Sequence, residues 1–150
     1  MTERQALIAR KQAMLRARAR LRRMQGIEVV RLYEEDEPEG LRALYAAYCA
    51  TYAYSPALEP SSRLPHGSTE SQVCSWLIET MGLKEGGEYF FRCGLWAHIR
   101  IQALLPAVES LWSNYNFLLA ETDFSRILEA GFDSRDEDHY LIDIWKPSYH

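Results

Sequence analysis

No stretch of the 150-residue chain approaches the roughly 20 consecutive apolar residues that a bilayer span requires, and the opening Met-Thr-Glu-Arg lacks the apolar run of a secretory signal. Cysteine is scarce. Cys49, Cys74 and Cys93 are an odd number at spacings of 25 and 19, which builds neither a disulfide framework nor paired C-x-x-C zinc knuckles. A cytoplasmic protein with reduced, mostly buried thiols is the expectation. Glycine (8) and proline (6) are too few for a collagen-like or low-complexity chain. Gly-x-Ser-x-Gly, a Walker loop, Gly-x-Gly-x-x-Gly and His-Glu-x-x-His are all missing, so no cofactor and no metal are expected.

What is present suffices for one core: 47% of residues are apolar and 12% aromatic, in a length typical of a single domain. Charge is where the chain departs from average. Its net charge of −4 hides a partition, because residues 1–25 carry eight Arg or Lys against one Glu, while the other 125 carry nine basic groups against twenty acidic ones. The sequence therefore divides into a basic helical arm, 1–25, and an acidic domain, 26–150. The arm is attracted to polyanions, the body to cations, and the two to each other.

Residues 3–24 are good helix formers without Gly or Pro, and Leu7, Met14, Ala17, Leu21 and Met24 fall on one thin stripe among arginines. Ile27–Tyr33 reads as a strand, and the acidic run that follows leads to Pro38, which opens a helix to about residue 53 with Leu41, Leu44, Tyr45, Tyr48 and Tyr52 on one face. Tyr54 lies just beyond. Residues 55–68, with three prolines and a glycine, read as a loop. Thr69 and Gln72 have capping-box spacing, and Gly82 stands where the helix they start would end. Strand composition returns over 88–105, although 95–112 also fits helical spacing, and again over 116–121 and 140–145. Asp123 is expected to cap a short helix through Phe124, Ile127 and Leu128 that Gly131 ends. The fold class is thus α+β: a mainly antiparallel sheet covered by two or three helices, with the Arg-rich helix as an appendage.

Ile27 to Tyr48, a strand, an acidic turn and then Leu-Arg-Ala-Leu-Tyr-Ala-Ala-Tyr, resembles the opening strand and helix of GNAT-type acetyltransferases over 22 residues. In that family a Gln/Arg-x-x-Gly-x-Gly/Ala loop holds the acetyl-CoA pyrophosphate. This chain has no such run, since Gly86-Gly87 lacks the spacing, so no acetyltransferase residues carry over.

Two acidic clusters are the candidate sites. Asp133, Asp136, Glu137 and Asp138 lie beside Phe132, His139, Tyr140 and Trp145, which joins an electrostatic landing site to aromatic anchors. Glu34, Glu35, Asp36 and Glu37 form a second patch. Neither start of the first cluster makes an EF-hand loop, because position 3 counted from Asp133 is Arg135 and positions 5 and 6 counted from Asp136 are Tyr140 and Leu141. The resulting expectation is a non-enzymatic module of the immunity or antitoxin kind, docking through Asp133, Asp136, Glu137, Asp138 and Tyr140 on a basic partner such as a nuclease toxin. Solubilising acid alone explains the same residues. The alternative is a nucleic-acid-associated or scaffold protein that binds through Arg16, Arg18, Arg20, Arg22 and Arg23 within residues 4–23, or that pairs with a second copy of itself through this helix. An enzyme built near His66, Cys93 or His98 remains a further reading.

Overall fold

The computed structural model describes residues 2–54 and 59–147, which form four α-helices around one seven-stranded antiparallel sheet. The elements run α1 (Glu3–Arg23), β1 (Ile27–Tyr33), α2 (Glu39–Tyr54), β2 (Ser62–Pro65), α3 (Glu70–Met81), β3 (Glu88–Arg92), β4 (Trp96–Ile101), α4 (Leu104–Leu111), a 3₁₀ turn (Trp112–Asn114), β5 (Phe117–Glu121), β6 (Ile127–Gly131) and β7 (His139–Trp145). The strand order is β1-β4-β3-β5-β6-β7-β2. The α+β expectation is met. No helix among the described residues is long and apolar enough to cross a membrane.

Helices cover both faces of the sheet, so its central strands are apolar on both sides. On one face Val73, Cys74, Leu77 and Met81 of α3 and Ala107, Val108 and Leu111 of α4 pack on Tyr89, Phe91, Ile99, Ile101, Leu119 and Leu128. On the other, Leu41, Leu44 and Tyr48 of α2 pack on Phe90, Trp96, Leu118 and Ile127. Trp96, 1% exposed, is held edge-on by Tyr45 at 5.3 Å, with the Arg92 guanidinium 5.3 Å over its ring. Each such large side chain contributes about 1.5–3 kcal/mol on leaving water. The residue before Leu41, Gly40, has no room for a side chain: a Cβ there would stand 2.7 Å from the ring of Phe124, which stacks on Phe90.

Local chemistry sets the element ends. Thr2 and Thr69 both form capping boxes, with Gln5 and Gln72, and Gly82 closes α3 in the left-handed conformation. The ambiguous stretch 95–112 is divided. Alternation of Ala97, Ile99 and Ile101 with His98 and Arg100 makes β4, and α4 begins at Leu104.

Three expectations change. The segment after Asp123 is not a helix: its side chain accepts the Ser125 N–H at 3.0 Å in a tight turn, and Ile127–Gly131 becomes β6, buried between β5 and β7. Ser62–Pro65, expected in a loop, pairs with β7 as an edge strand, a position in a sheet where proline is tolerated. The Arg-rich helix is an appendage over its N-terminal half only, because Ala17 and Leu21 are buried in the same core as α3 and α4. Residues 55–58 of the expected loop and the side chains of Tyr52 and Tyr54 lie outside the described residues.

The join between α1 and the sheet is made at Gly26. Its carbonyl accepts the N–H groups of Gln102 (2.8 Å) and Ala103 (3.1 Å), and the Gln25 N–H donates to Ser110 Oγ at 2.8 Å. With φ at +76°, a Cβ at Gly26 would stand 2.5 Å from the Ala103 carbonyl oxygen and 2.6 Å from the Ala107 nitrogen. Gly26→Ala should therefore cost about 2–4 kcal/mol, read as a lowered denaturant midpoint. Gly67→Ala, which meets nothing within 4 Å, serves as the control and should leave the midpoint unchanged or slightly raised.

Candidate functional site: the β6–β7 end of the sheet

The connection from Gly131 to His139 is folded by its own acids. Asp133 accepts the backbone N–H of Arg135 at 2.9 Å and the Arg135 guanidinium at 2.8–3.1 Å. Asp136 accepts the Asp138 N–H at 3.0 Å and His139 Nδ1 at 2.9 Å, and its other oxygen pairs with Arg63 Nε of β2 at 3.1 Å. These donors hold both carboxyls below their usual range: the Arg135 hydrogen bonds lead for Asp133, the His139 hydrogen bond for Asp136. The His66 N–H donates to the Asp138 carbonyl at 3.0 Å, tying the turn after β2 to the same loop.

Of the five side chains singled out in the sequence, Asp133 and Asp136 thus shape the loop. Glu137 and Asp138 are exposed, and no cation pairs with either among the described residues. Phe132, 60% exposed, stands edge-on to His66 at 6.2 Å, and His66 lies 4.4 Å from Tyr140. Tyr140 packs perpendicular to Trp112 at 5.1 Å.

The second acidic patch is engaged with cations of this chain. Glu34 pairs with Arg18, Glu35 with Arg10 at 3.3 Å and Glu37 with Arg42 at 3.2 Å, while Asp36 is exposed without a cation among the described residues. The attraction of arm for body is thereby realised within the molecule. Arg20 lies over the Phe91 ring at 4.8 Å, and burial pulls its pKa down. Arg16, Arg22 and Arg23 have no carboxylate partner among the described residues.

Residues beneath α2 that were not singled out make a strongly perturbed group. Glu129 of β6 stands directly across from Asp143 of β7. Arg135 clamps Asp143 with two hydrogen bonds of 3.0 and 2.7 Å while also holding Asp133. A cleft of about 110 Å³ opens on Glu129, Asp133, Arg135 and Asp143. Burial, then the Asp143 and Asp133 charges, pushes the Glu129 carboxyl from 4.5 up to about 7, against the pull of Tyr48 and Arg135. The cluster can exchange one proton near neutrality. Its signal in the sequence is a carboxylate inside each of two apolar strands, Ile-Leu-Glu-Ala-Gly and Tyr-Leu-Ile-Asp-Ile-Trp.

The residues considered for catalysis are kept apart. Cys93 belongs to the core on the α3 and α4 face, where burial raises its thiol pKa, whereas His98 packs on Phe90 of the opposite face and bonds Glu88 at 2.9 Å. His66 meets Tyr140 and Phe132 at the β6–β7 end. No group of three or more metal-ligating side chains occurs among the described residues. No protein-family model matches the chain, and no significant match was found among curated proteins or solved structures.

Glu129 sets a pH dependence of known sign. Its pKa is higher in the folded state than in the unfolded chain, so its contribution is fully present below pH 4.5 and is lost as pH rises through about 7. Asp133 and Asp136 act in the opposite sense, their contributions being lost as pH falls below their ordinary value of 3.8. Glu129→Gln should accordingly raise stability at pH 8 by about 2–3 kcal/mol and flatten the decline between pH 4.5 and 7 in denaturant unfolding.

Proposed function

We propose that this chain is a non-enzymatic protein-binding module, an acidic inhibitor of the immunity or antitoxin kind that docks its β6–β7 end on a basic partner such as a nuclease toxin. One observation carries the reading: Phe132, 60% exposed, stands beside His66 and the loop of Glu137 and Asp138, whose charges no cation of the described residues neutralises. A nuclease cleft must attract phosphates, so a surface that offers carboxylates around an aromatic anchor can occupy it and gain a steered on-rate. Asp133, Asp136 and Tyr140 hold the loop in shape, and Glu137 and Asp138 make the approach. The Glu34–Glu37 patch contributes through Asp36, since Glu34 and Glu35 are paired with α1 and Glu37 with Arg42 of α2. The reading places the protein in the cytoplasm.

A second reading rests on α1. Arg4, Lys11, Arg16, Arg22 and Arg23 have no carboxylate partner among the described residues, and Leu7, Ile8 and Leu15 are exposed between them. Such a face suits a phosphate backbone or a second copy of this helix.

One experiment separates them. Affinity capture from the native lysate in low salt should bring down one basic protein whose activity the purified chain suppresses. Capture and suppression should be lost with Phe132→Ala, Glu137→Lys and Asp138→Lys combined, changes that leave Asp136 and its hydrogen bonds in place. Recovery of nucleic acid instead, abolished by Arg16→Glu, Arg22→Glu and Arg23→Glu, would overturn the inhibitor reading in favour of the arm.

A further inference from the structure

Between α3 and the 3₁₀ turn after α4 lies a cleft of about 500 Å³, open to solvent and meeting the docking end of the sheet at Tyr140. Three aromatic residues line it beside polar ones. Trp112, 7% exposed, is met at right angles by Tyr115 at 5.9 Å and by Tyr140 at 5.1 Å. Tyr115 occupies its place at a conformational cost, since it takes the left-handed conformation, φ +57°, that a bulky L-residue seldom adopts. Its side chain is 54% exposed at the cleft, although a residue of this kind gains most from burial.

The cleft also carries negative charge. Glu70 of α3 and Glu109 of α4 line it from two sides, and neither pairs with a cation among the described residues. Both carboxylates reach Cys74 at the base of the cleft electrostatically: burial raises that thiol's pKa first, and Glu109 and Glu70 raise it further. Aromatic faces present the negative lobe of the ring quadrupole, and carboxylates in the same cleft add full negative charge to it. A neutral apolar ligand would gain nothing from Glu70 and Glu109, and an anion would be repelled by both the rings and the acids. The volume is that of an ordinary small-ligand pocket.

We propose that this cleft binds an organic cation, an alkylammonium or guanidinium group seated against Trp112, Tyr115 and Tyr140 and neutralised by Glu70 and Glu109. The site shares Tyr140 with the docking end but uses neither Phe132 nor Glu137 and Asp138, so the changes that test docking leave its carboxylates and its aromatic residues in place.

The test is a titration of the full chain, labelled with ¹⁵N, followed at the Trp112 indole N–H, with the signal assigned through Trp112→Phe. Choline and its neutral isostere 3,3-dimethylbutan-1-ol are the probes. Choline should shift the Trp112 signal saturably, the alcohol at least tenfold more weakly, and Glu70→Gln with Glu109→Gln should weaken choline about tenfold without changing its neutral counterpart. Should the double variant fail to fold, Glu109→Gln alone and the two probes on the unmodified chain decide. Equal binding of alcohol and choline, a choline response indifferent to the carboxylates, or the absence of a saturable shift at Trp112 with every cationic probe would each overturn the assignment. Acetylated and amidated Gly-Lys-Gly and Gly-Arg-Gly peptides complete the set. Tighter binding of a peptide assigns the cation to a side chain of another protein, and tighter binding of choline assigns it to a free amine.

Discussion

The architecture depends on a backbone joint that admits no side chain. At Gly26 the chain leaves α1 and enters β1, and there its carbonyl receives two N–H groups from the β4–α4 junction while α4 itself comes within van der Waals reach. This one contact fixes the edge of the sheet, the start of α4 and the last turn of α1 with respect to each other. The burial of Ala17 and Leu21 follows from it, and so does the placement of Arg18 and Arg10 over the acidic loop at Glu34 and Glu35. The basic segment is anchored where its helix ends, and ion pairs lay the rest of it along the body. Exposed pairs of this sort contribute about 0–1 kcal/mol each and weaken with salt, so the anchor rather than the charges decides where the helix sits.

Charge elsewhere is spent mainly on shaping loops. Asp133 and Asp136 look, as a string of letters, like a free acidic patch, but each turns its oxygens inward to backbone N–H groups and to Arg135, His139 or Arg63. The difference matters because an acid already holding donors has less field to offer a partner. Glu137 and Asp138 have no cation of their own among the described residues, and Glu70 and Glu109 are in the same position across the helical face.

What could be read from the chain was local. The capping box at Thr69, the glycine stop at Gly82 and the β-branched run at Ile27–Tyr33 all declare themselves within a few residues. What could not be read was pairing. Ile127–Gly131 has no period that separates strand from short helix, and only its placement between β5 and β7 makes it extended. Ser62–Pro65 carries a proline and becomes a strand solely because β7 is there to receive it. The opposition of Glu129 and Asp143 depends on that same non-local register, so their meeting could not be read although each carboxylate stood out within its apolar run. The aromatic cleft was half visible: Tyr140 was picked out, but Trp112 and Tyr115 came to it through the end of α4, where strand and helix had remained undecided.

The position of β2 at the edge of the sheet has a further consequence for how the molecule is made. Ser62 pairs with Ile142, 80 residues later, so as the chain emerges from a ribosome this strand waits unpaired until nearly all the rest has been synthesised. Its brevity and its proline limit the stray β-pairing open to it meanwhile. β1 faces a similar wait for β4, and a bulge between Val29 and Arg31 interrupts its regular edge. Both borders of the sheet thus combine late partners with irregular backbones, an arrangement that favours slow, self-contained closure over pairing with neighbouring nascent chains.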